Sequence, residues 1–303
     1  MALTIEEAIA RVPFLKDDPN LSITPLTGGI TNLNFRIDYG GSKSCVIRIT
    51  WADTDKLGIR RDVEHEANYQ AGLLGIAPEV LFFIEPEGYL VTRFVKGVNI
   101  PPEVMVKEYN IQRVVEKIRK FHQNAKPLGG VFNIFRRIEL LTNISEEHHC
   151  LFPADFYWIQ QRMKECEAAL LVHPYHPTPC HCDLLNLNFL DENGDIKILD
   201  WEYAGQGDIF HDLSNFSHHH KFTEEMERFE LQTYFGEITP SNYAHFKLMK
   251  PMSEIHEAMW GTTQTGISKL DEDFQGYADY WFDRARKDIQ DPRWAQWLLD
   301  VSD

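Results

Sequence analysis

Between His181 and Tyr203 the chain gathers the side chains that phosphoryl transfer to an alcohol requires. The loop His181-Cys182-Asp183-Leu184-Leu185-Asn186-Leu187-Asn188 carries an aspartate and, five residues on, an asparagine. The apolar run at 196–199 then ends in a second aspartate, Asp200. Such a transfer calls for a carboxylate that orients the attacking hydroxyl and takes its proton. It also calls for hard oxygen ligands to a Mg2+ ion that bridges the phosphates. Asp183 suits the first task, Asn188 and Asp200 the second. His181 reads as a hydrogen-bonding member that holds the shape of the loop.

These side chains converge only if the surrounding elements carry them to one place. Residues 189–190 and 196–199 read as short strands joined by the turn Glu192-Asn193-Gly194-Asp195, which returns Asp200 to the loop of Asp183. Upstream, residues 4–11 read as a short helix, and 23–38 and 45–50 as strands around Gly40-Gly41. Residues 62–74 read as a helix stopped by Gly75, and 78–83 and 89–94 as a further strand pair. Beyond Gly97 and Pro101-Pro102 the texture becomes helical. Ile111, Val114, Val115, Ile118 and Phe121 recur at helical spacing, as do Phe156, Ile159, Met163, Cys166 and Leu170. Residues 225–234, 243–259 and 271–299 read the same way. The fold class is therefore α+β. A small antiparallel sheet lobe over 1–95 precedes a larger, mainly helical lobe over 96–303. The triplet His218-His219-His220 reads as the solvated start of a helix.

Composition narrows the partners. Against 46 Asp and Glu the 303 residues set 30 Lys and Arg, a net charge of −16. A surface this acidic repels nucleic acid and anionic membranes and tolerates cationic ligands. A nucleotide site must then gather positive charge locally, from a few basic residues and from metal. No apolar run approaches the roughly 18 residues that span a bilayer, and residues 1–11 do not resemble a secretion signal. The expected setting is the cytoplasm, with the five cysteines as reduced thiols. Cys180-His181-Cys182, with His173 and His176 nearby, matches none of the usual zinc spacings.

The pattern H-x-D-x-x-x-x-N followed by an apolar strand ending in Asp resembles the catalytic and metal-binding loops of the choline/ethanolamine kinase family, within the aminoglycoside phosphotransferase and protein-kinase-like superfamily. Asp200-Trp201-Glu202-Tyr203-Ala204 is similar to that family's D-F-E-Y segment. Gly28-Gly29-Ile30-Thr31-Asn32 looks like its phosphate-side loop, Gly75-Ile76-Ala77-Pro78 like its turn after the small-lobe helix, and Asp212-Leu213-Ser214-Asn215 like its D-I-G-N segment. The five segments run in order from about residue 24 to residue 290. The resemblance implies a protein-kinase-like two-lobed fold, with ATP and Mg2+ as cofactors and a small-molecule alcohol as acceptor. It assigns Gly28, Gly29, Thr31 and Asn32 to the phosphates, although Gly28 and Gly29 would equally serve a plain hairpin turn. It assigns Arg48 to the position where protein kinases use Lys, with Glu64 as its helix partner. It places the adenine at the connection around Arg93 and Phe94, with Ile30, Ile47 and Leu199 as apolar walls or as core. Asp212 and Asn215 would brace the catalytic loop.

For the acceptor, the resemblance implies Glu202 and Tyr203 beside the metal Asp, and Trp260 and Tyr277 from the C-terminal region. A quaternary ammonium has no N–H to donate and is held by aromatic faces and a carboxylate. The second Trp of the family's W-G-x-W stretch is Thr263 here, and the same aromatics at helical spacing also suit a core. Choline leads among acceptors, then ethanolamine. An aminoglycoside, thiamine or another metabolite stays open, as does an inactive pseudokinase that only binds.

Overall fold

The computed structural model describes residues 3–26, 32–50 and 57–302. Gly28, Gly29, Ile30 and Thr31 of the expected phosphate loop lie outside the described residues.

Helix α1 (Ile5–Arg11) opens with a capping box in which the Thr4 hydroxyl accepts the Glu7 N–H and the Glu7 carboxylate accepts the Thr4 N–H. Strands β1 (Ser22–Leu26), β2 (Asn32–Tyr39) and β3 (Lys43–Thr50) follow, then α2 (Arg61–Leu73), β4 (Val80–Ile84) and β5 (Tyr89–Arg93). The sheet runs β1-β2-β3-β5-β4, antiparallel throughout. Gly40 and Gly41, both at positive φ, make the β2–β3 turn. Along β3 the pleat sends Cys45, Ile47 and Ile49 into a core with Ala8, Ile9, Val12 and Leu15, and alternates Val46 and Arg48 to the other face. Ile47, expected as a nucleotide wall or as core, is core, on the side of the sheet away from Arg48. The period of two at 45–50 carries that information.

The larger lobe comprises β6 (Val98–Asn99), α3 (Pro102–Met105), α4 (Glu108–Asn124), α5 (Ile134–Glu147), α6 (Phe156–Leu170), β7 (Thr178–Cys180), β8 (Phe189–Glu192), β9 (Asp195–Ile198), β10 (Gly205–Gly207), α7 (Ile209–His219), α8 (Glu224–Phe235), α9 (Pro240–Ile267), α10 (Phe274–Ile289) and α11 (Trp294–Asp300). Asn193 and Gly194 both take positive φ in the β8–β9 turn, as an Asn-Gly hairpin demands. The expected single helix over 271–299 is two, α10 and α11, divided around Pro292, which cannot continue a helical ladder. The histidine triplet closes α7 rather than opening a helix, and His218 and His220 are buried. Both α5 and α7 have polar side-chain caps, Asn133 on the N–H groups of Phe135 and Arg136 and Asp208 on that of Phe210.

Two apolar cores result. One joins α1 to the back of the sheet. The other fills the helical lobe and includes Val63, Ala67 and Ala71 of α2 and the following Ile76 and Ala77. The turn after α2 is tied down there as well. The Leu74 carbonyl accepts from Lys120 Nζ at 2.7 Å, the Gly75 carbonyl from Lys197 Nζ at 2.8 Å, and the Ile76 carbonyl from the Ile198 N–H at 2.9 Å.

Candidate active site

The loop between β7 and β8 is shaped by buried acceptors. The Asp212 carboxylate, on α7, accepts the N–H groups of His181 at 2.8 Å and Cys182 at 2.7 Å, and His122 Nε2 lies 3.0 Å from it. Asn215, one helical turn on, accepts the Leu184 N–H through Oδ1 at 2.5 Å. His181 Nδ1 accepts the Asp183 N–H and its Nε2–H donates to the Leu199 carbonyl at 2.8 Å. Burial holds its imidazole below the usual range, and so neutral, as this pair of bonds requires. The Asn188 amide donates to the Asp183 carbonyl at 2.9 Å, and the Leu199 N–H to the Asn188 carbonyl at 2.8 Å. The two halves of the motif, 181–188 and 199–200, are thus stitched together. Cys182 and Asp200 sit at φ +68° and +61°, left-handed conformations that turn the chain sharply at the two places where a carboxylate must face outward.

On the sheet side, five charged groups interlock. The Arg48 guanidinium pairs with Glu64 of α2 and, at 2.5 Å, with Asp200 Oδ1. Arg61 donates to Glu64 Oε2 at 2.6 Å and to Glu202 Oε2 at 3.2 Å, and the Asn32 amide donates to the same Glu202 oxygen at 3.2 Å. The structure thus brings together Asn32, Arg48, Glu64, Asp200 and Glu202 of the expected site. It places Glu202 with Asn32 and Arg61, within the cluster that faces Arg48. Burial and then the neighbouring Asp200 push the Glu202 carboxyl up, against the pull of Arg48 and Arg61. Among the described residues, two guanidiniums here meet three carboxylates.

At the lobe connection, Arg93 forms a two-pronged pair with Glu192 at 2.9 and 2.7 Å, and the Arg36 guanidinium lies 4.4 Å over the Phe94 ring. The N–H groups of Arg93 and Phe94 are already donated to the carbonyls of Glu79 and Ser44.

The other end of the cleft is built differently. Asp183 faces Glu257 of α9 and His219 of α7, with one ligand atom from each inside a 4.8 Å span. Burial pushes the Asp183 carboxyl well above its usual range, and the carboxylates of Glu257, Asp200 and Glu202 push the same way. The Tyr277 hydroxyl donates to Glu257 Oε2 at 2.6 Å. Trp260 meets Tyr277 edge-on at 5.7 Å between centroids, and Trp281 lies 6.1 Å beyond Tyr277. Tyr203, under Arg137 at 5.2 Å, feels the charges of Glu202, Asp183 and Glu257. Gly261 explains how α9 and α10 come so close: a Cβ there would lie 2.8 Å from the Tyr277 ring and 3.1 Å from the Ala278 nitrogen. Thr263 is buried, its hydroxyl donating to the carbonyls of Met259 at 2.8 Å and Leu141 at 3.2 Å, so its position belongs to the α5–α9 contact. Sequence reasoning missed Glu257 and His219. The available signal was that Glu257 lies three residues before Trp260, on the same face of a helix.

A sheet lobe set over a helical lobe, with Arg48 reaching across to an aspartate that ends a hairpin, defines the class: this is an ATP-dependent small-molecule kinase of the protein-kinase-like superfamily. The fold is shared with a choline/ethanolamine kinase family protein from Mesorhizobium loti (28% identity, TM-score 0.84, 98% of this chain and 97% of that one) and with choline kinase LicA from Streptococcus pneumoniae (22% identity, TM-score 0.80, 94% and 97%). Protein LicA of Haemophilus influenzae is 24% identical over 277 residues, 87% of this chain and 79% of that protein. The chain belongs to the choline/ethanolamine kinase family, whose model matches residues 23–244. Among the described residues no helix is long and apolar enough to cross a membrane.

Proposed function

We propose that the acceptor is a small cationic amino alcohol, choline first and ethanolamine next, phosphorylated in the cytoplasm. The observation that carries this reading is the buried Glu257 carboxylate beside Asp183, bonded by Tyr277 and flanked by Trp260. A cation is attracted by such carboxylates and held against π faces at about 0.5–2 kcal/mol per ring. The name of the Streptococcus pneumoniae relative, a choline kinase, points the same way.

In the reaction proposed, the acceptor oxygen attacks the γ-phosphorus, the bond from phosphorus to the bridging β–γ oxygen breaks, and ADP leaves. Asp183 orients the hydroxyl and accepts its proton. A carboxyl raised by burial is a better base than an ordinary aspartate. Asn32 and Arg48, with Gly28, Gly29 and Thr31, meet the phosphates, while Glu64 and Glu202 hold the guanidiniums of Arg48 and Arg61 in place. Arg93 and Phe94 set the connection against which adenine lies. Asn188 and Asp200 would hold Mg2+, and the donor chemistry fits. The Asn188 amide nitrogen is spent on the Asp183 carbonyl, which leaves its oxygen, and the Asp200 side chain is one-third exposed. Among the described residues, two guanidiniums against three carboxylates do not neutralise a triphosphate, which supports a divalent cation there. When bound, Mg2+ would neutralise charge on the phosphates.

The test is ATP consumption against choline, ethanolamine, aminoglycosides, thiamine and a neutral isostere of choline with carbon in place of nitrogen, with and without EDTA. Turnover with choline or ethanolamine, absent in EDTA and far weaker with the isostere, is expected. Equal turnover of the isostere would show that the site does not recognise charge and would overturn the acceptor reading.

A further inference from the structure

We propose that Asp183, His219 and Glu257 form a site for a divalent transition-metal ion of the Zn2+ or Co2+ type, and that an ion bound there excludes the acceptor. The three ligand atoms all lie within 4.8 Å of one another. Some point is then no more than about 2.8 Å from each, and small side-chain rotations close the gap to the roughly 2.0–2.2 Å of zinc–nitrogen and zinc–oxygen bonds. The His219 side chain is only 8% exposed, and its Nε2 has no hydrogen-bond partner among the described residues. That nitrogen points at Glu257 Oε1 from 3.6 Å, too far for a hydrogen bond. A buried imidazole set beside two carboxylates, its Nε2 hydrogen-bonded to neither, is a group whose lone pair an ion would use.

The surroundings fit a metal ligand set. Tyr277 occupies Glu257 Oε2, which leaves Oε1, the oxygen beside His219, to coordinate; such outer bonds orient a ligand. His256 Nδ1 lies 3.7 Å from the same Oε1 and is the next nitrogen behind the site. Trp281, 5.3 Å from the His219 ring, and His218, 4.2 Å from it, limit its rotation. Imidazole favours zinc and its neighbours over Mg2+, whereas Asn188 and Asp200 offer oxygen only. The two sites therefore select different ions. The other three-ligand group, His122, Cys180 and Asp212, does not qualify. His122 bonds Tyr234 and Asp212, and Asp212 is committed to the loop amides.

An ion on Asp183 and Glu257 takes both the carboxylate proposed to receive the proton and the charge proposed to hold the ammonium. Inhibition should then be competitive with the acceptor. The binding claim stands on geometry alone, and only the competition rests on the proposed acceptor. The experiment is a Co2+ titration of the full chain with Mg2+ in excess and no nucleotide, followed by visible d–d absorption and displaced with Zn2+. Wild type is compared with His219→Ala and Glu257→Gln, each checked for folding by its thermal melt. A band that Zn2+ abolishes is expected in wild type. Each variant should bind Co2+ about 100-fold or more weakly, since loss of even an outer-shell partner costs about 10–100-fold. In turnover, Zn2+ should raise the acceptor KM at unchanged kcat. No Co2+ band, a band unchanged in both folded variants, or inhibition relieved by added Mg2+–ATP and not by acceptor would overturn the site. If no amino alcohol is phosphorylated yet the band is present and lost in His219→Ala, the metal site stands and the acceptor reading falls.

Discussion

The two ends of the cleft handle buried charge in opposite ways. At the sheet end every carboxylate described has a guanidinium: Glu64 has Arg48 and Arg61, Asp200 has Arg48, and Glu202 has Arg61. At the helical end, Asp183 and Glu257 face each other, and the ion pairs of Glu257 within 4 Å among the described residues are with His219 and His256. Breaking a buried pair costs about 3–5 kcal/mol, so the first end is a fixed framework. At the second, the histidines hold the Glu257 carboxyl well below its usual range against burial, and Glu257 in turn helps push Asp183 up. One end is a framework of guanidinium–carboxylate pairs, and the other sets two carboxylates against histidines and no guanidinium among the described residues.

The largest effect should come from Asp183→Asn, with kcat down by about 10²–10⁴ and ATP binding retained by calorimetry. Near-normal turnover would take the chemistry away from the helical end. Next, Arg48→Ala should raise the ATP KM by about 10-fold or more, and more than the acceptor KM. It should also lower the melting temperature, because the buried Glu64 loses one of its two guanidinium partners and keeps only Arg61. The reverse KM pattern would put Arg48 on the acceptor side and dissolve the division. Glu257→Gln should raise the choline KM about 10-fold and leave that of the neutral isostere unchanged. It also carries a pH signature. Burial and then Glu257 are what raise the Asp183 carboxyl. Removing Glu257 lowers that pKa, so the acid limb of kcat/KM should move to lower pH. A limb that stays in place would separate the two carboxylates functionally. The smallest effect belongs to Trp260→Ala and Tyr277→Ala, a rise of about 2–30-fold in the choline KM, equivalent to 0.5–2 kcal/mol, with the ATP KM unmoved. Unchanged choline kinetics in both would make these rings core packing alone.

What the sequence disclosed follows the same divide. Asp183, Asn188 and Asp200 lie on one short stretch, and local hydrogen bonds set their convergence, so spacing alone could propose them as a set. Arg48 and Glu64 come from a strand and the next helix, and the family resemblance paired them. Glu257 and His219 sit on α9 and α7, and only the packing of those helices, with Gly261 permitting the approach of α10, brings them to Asp183. Neither the histidine triplet nor the all-round burial along α9 advertised a ligand. Glu202 illustrates a subtler limit. Its place next to Asp200 in sequence suggested the acceptor, whereas the turn at Asp200 directs it to Arg61 and Asn32.

Helix α2 has a mechanical consequence. It follows the sheet in sequence but shares its apolar core, and the hydrogen bonds of its closing turn, with the helical lobe. A hinge motion that widens the cleft along the weaker seam would leave α2 behind as part of the fixed frame and swing only α1 and the five strands. Arg48 rides on the moving body while Glu64 and Asp200 belong to the stationary one, so its guanidinium, with the Asn32–Glu202 bond and the Arg93–Glu192 pair, would act as a latch between them. A nucleotide that draws Asp200 toward its metal would release one side of that latch while Glu64 keeps the other. Any such opening of the cleft would then depend on whether the site beneath it is filled.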